Sequence, residues 1–283
     1  MDRLICVITG ATSGIGKAAA LALAKQGYGL ILVGRNQEKT ARVGDEISRK
    51  TGNRNVVCET SDLSVLREVR QLAARIRTSR VEVDVLVNNA GARFLKHQVT
   101  GEGIELTLAT NHLGHFLLTL SLIDVLKHNG RARIINVSSG THYGASGVIE
   151  NILSPEAFDG RTQYANSKLA NVLFTYALAE KLSKTGVTVN AVDPGGVATN
   201  FARNNGLIQW LKHRAYYLGK RQLLTPAQGA ETLVYLASSA DVAGITGKYF
   251  MFKEQRKSSA ISYEKTIQDK LWASSVELSM FDI

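Results

Sequence analysis

The first thirty residues constrain this chain more than any other stretch. Residues 4–9, LICVIT, form a short continuous apolar run, the pattern of a parallel strand buried on both faces. That run leads directly into TGATSGIG at residues 9–16 and then into the helical KAAALALAKQG. Strand, glycine-rich turn and helix in that order bring a nearly bare backbone to a helix N-terminus. A pyrophosphate can approach such a turn closely, and the helix end favours its charge. Gly10, Gly14 and Gly16 follow a G-x-x-x-G-x-G spacing, with Thr12, Ser13 and Ile15 filling the turn. These residues predict a dinucleotide site.

The next strand, YGLILVGRN at residues 28–36, bears on which dinucleotide. A free ribose 2′-hydroxyl usually meets an acid about 20 residues after the glycine turn. Here Gly34, Arg35 and Asn36 stand at that strand end instead. An arginine suits a 2′-phosphate through a charge-assisted fork, so NADP(H) is expected over NAD(H). The same arginine also reads as an ordinary surface residue. A helix over about 37–50 leads to NVVCETSDL, whose Asp62, beside Leu63, can accept from an adenine amino group or cap the following helix. Both roles are compatible. After a helix over about 64–78 comes VDVLVNNAG, in which Asn88 closes a strand and Asn89, Ala90 and Gly91 permit close approach to the cofactor.

One helix is predicted over about 105–127, containing NHLGHF. His112 and His115 share a face, but no carboxylate or cysteine cluster with ligand spacing accompanies them, so no metal is expected. Asn111 is unfavourable inside a helix, which marks it for attention. A strand over 132–137 then ends in Ser138 and Ser139. Asn136 opens an N-V-S glycosylation pattern, but inside a buried strand. The loop-like 140–163 can wall a substrate site. YANSK follows, with Tyr164 and Lys168 four residues apart on one helical face. A nearby ammonium favours the phenolate of a group whose ordinary pKa is about 10. Tyr164 is therefore a candidate acid/base, although the pair alone also fits an amphipathic helix with a snorkelling lysine.

The strand VTVNAVDPGG ends at Pro194, Gly195 and Gly196, with Val197 and Thr199 just beyond. Residues 201–224 are basic and aromatic, with Trp210, Tyr216 and Tyr217. A substrate lid over about 200–224 is preferred to a membrane-surface helix or a plain helix pair, since strand-end loops form the site in such architectures. Thr225 and Pro226 signal a capped helix, GKYFMF closes the sheet, and the tail over 254–283 reads as largely helical.

The 283 residues, 45% hydrophobic, suffice for one large core, and no linker, repeat or low-complexity tract divides them. A single domain over 1–283 is expected. The formal charge of +10 raises nucleic acid or an anionic membrane as partners. The cations are scattered, however, which favours a solvated surface plus a phosphorylated cofactor. Cys6 and Cys58 fall in apolar strand-like runs and read as small core residues in a reducing compartment. The first strand begins by Leu4, leaving no room for a signal peptide, and no run reaches the ~18 apolar residues of a membrane span. A soluble, cytoplasmic protein is expected.

TGATSGIG, Asp62-Leu63, NNAG, Asn111 with Ser139 and YANSK, and DPGGVATN occur in the order found in the short-chain dehydrogenases/reductases, and the chain resembles that family over about 4–252. The long Ser139-to-Tyr164 spacing, SKLANVLFT and KLWASSVEL make it most similar to the retinol-dehydrogenase-like subgroup. The resemblance implies an α/β, Rossmann-type doubly wound parallel sheet of seven strands in the order 3-2-1-4-5-6-7, with helices on both faces. It implies that Ser139 bonds the substrate oxygen, that Tyr164 passes the proton, and that Lys168 lowers the tyrosine pKa and binds the nicotinamide ribose. Asn111 would hold a relay water, and Val197 and Thr199 would contact the carboxamide. The reaction implied is hydride exchange between NADP(H) and a small, apolar carbonyl or alcohol, in a homodimer or homotetramer. A secondary-metabolite ketoreductase, a protochlorophyllide-reductase-like enzyme and a cofactor-sensing scaffold are the competing readings. Two departures stand out: no hydrophobic anchor precedes the first strand, and Asp193 gives DPGG where that subgroup more usually has HPG.

Overall fold

The computed structural model describes residues 3–79, 82–128, 130–153, 157–198, 201, 205–206, 211, 215 and 223–281. Eight strands form one sheet in the order β3-β2-β1-β4-β5-β6-β7-β8. They are β1 (Ile5–Thr9), β2 (Gly29–Gly34), β3 (Val56–Thr60), β4 (Val85–Asn88), β5 (Arg133–Val137), β6 (Thr188–Asp193), β7 (Lys248–Met251) and β8 (Glu254–Arg256). The first seven pair in parallel, as in Cys6 with Leu30 on one side and Val85 on the other. Every residue of β2, β4 and β6 is buried; β2 accordingly reads as an unbroken apolar run, while β4 buries Asn88 and β6 buries Thr188, Asn190 and Asp193.

The eighth strand was not expected. Phe252 and Lys253 both take positive φ, 54° and 63°, and turn the chain back so that β8 pairs antiparallel with β7. Two successive left-handed residues are what a tight hairpin requires, usually supplied by Asn-Gly. Phe-Lys does not announce such a turn. The tail expected to be helical from 254 therefore starts as a strand, passes through a 3-10 turn at Ala260–Tyr263 and is α-helical from Lys265.

The helices on one face are α1 (Gly14–Lys25), α2 (Gln37–Thr51) and α9 (Pro226–Ser238). Their buried residues, among them Leu23, Ile47 and Leu233, meet Ile8, Leu32 and Val87 from the sheet. Against the other face lie α3 (Leu66–Thr78), α5 (Gly114–Ser121), α6 (Ile123–His128), α8 (Gly160–Lys181) and α10 (Lys265–Ser279). Two short helices, α4 (Leu106–Leu108) and α7 (Ile149–Leu153), complete the set. Each fully buried leucine or isoleucine contributes about 2 kcal/mol through lost apolar hydration. An aromatic cluster fastens α10: Trp272 packs 5.2 Å from Phe116 and 6.1 Å from Phe174, with the Lys181 ammonium 4.6 Å over its ring.

Three further expectations change. The helix predicted over 105–127 is interrupted by a π-helical turn, Ala109–Leu113, between α4 and α5. Cys58 is not a core residue: it is exposed on edge strand β3, whereas Cys6 is buried on β1. The third helix starts at Leu66 rather than Ser64 because residues 62–65 are used in a turn closed by Ser64 N–H on Asp62 Oδ1, 3.0 Å. Asn136 is buried, its amide held by Asn88 and Thr175 at 2.8 and 3.0 Å, so the N-V-S pattern is a sheet-to-helix tie. Among the described residues no helix is long and apolar enough to cross a membrane.

Candidate active site

The carboxyl ends of β1, β2, β3 and β4 open on a groove of about 510 Å³. Gly10, Thr12, Ser13, Gly14, Ile15 and Gly16 line it, as do Arg35, Asp62, Leu63, Asn89, Ala90 and Gly91. Gly10 and Gly14 take φ of 65° and 55°, conformations that a side chain would strain. A Cβ on Gly16 would stand 2.5 Å from the Gly10 carbonyl oxygen and 2.4 Å from Asn89 Nδ2. The turn is thus packed tightly against the segment after β4, and its backbone faces the groove. A larger cleft of about 640 Å³ lies between α3, α6, α8 and α10, but none of the predicted site residues lines it.

Asn36 is better described as a cap than as a groove residue. Its Oδ1 accepts from Lys39 N–H at 2.8 Å and starts α2. That cap sets Lys39 one helical turn beyond Arg35, and both line the groove. Lys39 was missed in the sequence, although its i, i+4 spacing from Arg35 was visible. Asp62 lines the groove while its Oδ1 accepts from the Ser64 N–H and hydroxyl, so it closes the turn before α3 and does not cap that helix, whose N-cap Val65 has no side-chain bond.

The strand ends are locked together from behind. Thr9 Oγ1 accepts from the N–H groups of Asn89 and Ala90 at 2.9 and 3.0 Å. Its own proton then goes to His115 Nε2 at 2.9 Å, with Val87 O farther away at 3.3 Å. His115 therefore carries its proton on Nδ1, which donates to the Asn111 carbonyl at 3.1 Å. Burial pushes this imidazole down to about 3, so it stays neutral. His112 is pushed down to about 4 by the same cause and bonds Ser275 of α10 at 2.9 Å. These histidines are polar ties in the core. Among the described residues no three His, Cys, Asp or Glu side chains gather as a metal site would need.

The π turn carries Asn111, whose side chain is fully buried. Its Nδ2 donates to Ala92 O and Ser167 Oγ, both at 2.9 Å, and its Oδ1 accepts from Ala92 N at 2.8 Å. The side chain clamps the segment after NNAG to α8. At the next position of α8, Lys168 Nζ donates to Val137 O at 3.0 Å. A Cβ on Gly91 would lie 3.4 Å from Asn111 Oδ1 and 3.5 Å from Lys168 Nζ, so β4, the π turn and α8 converge at this glycine. Burial pushes the Lys168 ammonium down to about 8, against the opposing pull of the Asp193 carboxylate. Lys168 Nζ stands 5.7 Å from the centre of the half-buried Tyr164 ring.

Of the two serines after β5, Ser138 is structural, its hydroxyl donating to Lys168 O at 2.8 Å. Ser139 is the partly open one, and its carbonyl accepts from His142 Nδ1 at 2.8 Å. Beyond β6, Gly195 takes φ of 78° next to Pro194, and its N–H donates to Asp193 Oδ1 at 2.9 Å. Val197 pairs with Leu224 as an isolated bridge, and its side chain is buried within 2.5 Å of where a Cβ on Gly229 would lie. Only its backbone is left for a ligand. Thr199, Trp210, Tyr216 and Tyr217 lie outside the described residues, and so does most of the proposed lid. Phe201 is described: it lines the groove, 5.1 Å from the Tyr164 ring and 5.9 Å beneath the Arg93 guanidinium. No local motif announces its contact with Tyr164, which joins residues 37 positions apart.

A parallel doubly wound sheet with a glycine-rich turn after β1 and a Tyr–Lys helix pair at the strand ends points to a nicotinamide-dependent oxidoreductase class. The sequence model of the family described as short chain dehydrogenase matches residues 4–207. The chain is 36% identical to human polyprenol dehydrogenase over 98% of its own length and 85% of that protein's. It is 37% identical to human retinol dehydrogenase 13, covering 96% and 83%. The chloroplastic short-chain dehydrogenase TIC 32 B of Brassica napus is also 37% identical, with 98% and 88% covered. Among solved structures, an uncharacterized protein from Mycobacterium Paratuberculosis superposes with a TM-score of 0.76 at 28% identity, covering 99% of this chain and 95% of that one. A variant of actinorhodin polyketide ketoreductase with NADPH superposes at 0.70 and 27% identity, covering 88% and 95%. The chain belongs to the short-chain dehydrogenase/reductase family. Within it, the chain falls in the retinol-dehydrogenase-like subgroup, as an oxidoreductase of CH–OH and carbonyl groups.

Proposed function

We propose that this chain is an NADP(H)-preferring oxidoreductase that interconverts an apolar alcohol and its aldehyde or ketone, with Tyr164 as the proton-transfer group. The observation that carries this reading is the desolvated Lys168 ammonium 5.7 Å from the centre of the Tyr164 ring. A fixed cation there favours the charged phenolate when the proton leaves, so Tyr164 can take the proton of an alcohol or return it to a carbonyl oxygen. Ser139, at the open end of β5, supplies a hydroxyl donor for the same oxygen. The nicotinamide, when bound, exchanges hydride with the carbon that bears it.

The chain's own residues fit that cofactor. Gly10, Gly14 and Gly16 leave a backbone cradle where side chains would stand, at the N-terminus of α1. Arg35 and Lys39 line the same groove with no acid at the end of β2, which supports a 2′-phosphate. Phe201 on Tyr164 gives the substrate side an apolar wall. The relatives named for retinol and polyprenol point to an isoprenoid type of alcohol. Tyr164→Phe should lower turnover by at least about 10²-fold with NADPH binding retained. Near-normal turnover in that variant, measured with NADPH and a panel of short and long aldehydes, would sink the acid/base assignment.

A further inference from the structure

Three carboxylates are buried among the described residues, and two have local duties. Glu105 caps α4 through the N–H groups of Thr107 and Leu108, and Asp84 accepts from Ile5 N–H at 2.8 Å. The third is Asp193, 5% exposed at the end of β6. Its Oδ1 accepts from Gly195 N–H at 2.9 Å and its Oδ2 from the Tyr249 hydroxyl at 3.1 Å. Both oxygens accept and neither donates, which is the bonding pattern of an ionised carboxylate. Neither partner is a cation.

The position of this charge is what gives it a use. Asp193 Oδ2 lies 3.1 Å from where a Cβ on Gly140 would stand, so the carboxylate abuts the residue that follows Ser139. Val192 pairs with Val137 across β6 and β5. The Val192 carbonyl accepts from Ser138 N–H at 2.8 Å, and the Val137 carbonyl accepts from Lys168 Nζ at 3.0 Å. Carboxylate and ammonium therefore flank the same pair of strand ends. The titratable groups facing Asp193 are Tyr249 on β7, His142 and Tyr143 on the turn after β5, and Lys168 on α8. Burial holds both tyrosines above the ordinary phenol range and His142 below the ordinary imidazole range. His142 also accepts Ser259 N–H on Nε2 at 3.0 Å, which fixes it as the neutral Nδ1–H form. Around Lys168, His115 is neutral as well. Of the groups facing Asp193, only Lys168 is a cation at neutral pH.

We propose that Asp193 is a fixed negative charge behind the Ser139 turn that keeps Lys168 protonated and thereby sets the pH range over which Tyr164 exchanges protons. The inference rests on Tyr164 and Lys168 being the proton-transfer pair. A negative charge strengthens proton binding at every nearby group, so its removal must move the pair's proton loss to lower pH. Removing one charge from such a partly buried site moves the titration by about one pH unit.

Asp193→Asn separates charge from shape. The amide oxygen still accepts from Gly195 N–H, so the turn after β6 is kept, and a role confined to that turn leaves the pH profile where it was. The measurement is kcat/KM for NADPH-dependent reduction of an aldehyde from acid to alkaline pH. In Asp193→Asn the alkaline limb should fall about one pH unit below that of the wild type. An unmoved limb overturns the proposal. Asp193→Ser removes the charge through a smaller side chain that also closes such turns; the same shift supports the proposal and no shift overturns it. Tyr164→Phe run beside them keeps the two ideas apart. Surviving turnover in Tyr164→Phe removes the acid/base reading and this inference with it. An inactive Tyr164→Phe with an unmoved Asp193→Asn profile removes only the role of Asp193.

Discussion

Lys168 shows at the scale of one residue how a site of this kind strains the core that holds it. Its ammonium is buried, bonded to one carbonyl, and pushed from 10.5 down to about 8 by loss of solvent. The unfolded chain therefore binds this proton more tightly than the folded one between pH 8 and 10.5. Its effect on stability is most favourable above that window and is lost as pH falls through about 8. Lys168→Met fills the same space without a charge. It should melt above the wild type at pH 7, by roughly 5 °C, while turnover disappears. That margin should narrow as pH rises past 8, which paired thermal melts will reveal. Arg35 works at the other end of the groove. On the proposed NADP(H) preference, Arg35→Asp would put a repulsive charge where a 2′-phosphate would otherwise meet an attractive one. NADPH binding should weaken by at least about 10²-fold while NADH binding holds or improves. A wild type that already binds NADH more tightly, in fluorescence titrations of both cofactors, removes the case for NADP(H).

Among the elements, α10 is the one whose fastening can be tested apart from chemistry. Trp272 joins it to Phe116 of α5 and Phe174 of α8, on the side of the sheet away from the glycine turn. Trp272→Ala should lower stability by about 2–3 kcal/mol, below the range for fully enclosed aromatics because this ring is half-buried. Kinetics at 25 °C should stay near wild type, and a large fall in kcat without a fall in melting temperature would tie α10 to the site instead. Elements of this chain were legible where a local signal sufficed. Continuous apolar runs announce β1 and β2, and Thr225 with Gln228 closes a reciprocal cap on α9. The π turn was not legible, because one extra residue per turn leaves the apolar pattern nearly intact and shows only in which carbonyl each N–H meets. β8 was hidden by its Phe252–Lys253 hairpin, and the Thr9–His115–Asn111 tie by a separation of 106 residues between its first two members. Asp193 was visible as an odd residue, but its use depends on Gly140, Tyr249 and Lys168, which only the fold brings near.

For the whole molecule, a formal charge of +10 sets a positive potential toward any polyphosphate. NADPH carries one more phosphate than NADH, so its dissociation constant should rise more steeply with ionic strength. Titrations of both cofactors between low and moderate salt measure the two slopes, and equal slopes would argue against a 2′-phosphate contact at Arg35 and Lys39. The strand order has a different consequence, for the chain as it is being made. β1 has both its neighbours in the finished sheet, β2 at Gly29 and β4 beginning at Val85. A ribosome adding about 5–20 residues per second reaches β4 roughly 4–16 s after β1 has emerged. Throughout that interval the β1–β2–β3 unit presents a bare, apolar strand edge where β4 will later dock. The nascent chain is therefore most open to mispairing with its neighbours on a polysome before residue 88 is out. Holdase chaperones that recognise extended apolar strands have their natural window there, well before the site residues at 139, 164 and 168 have been synthesised.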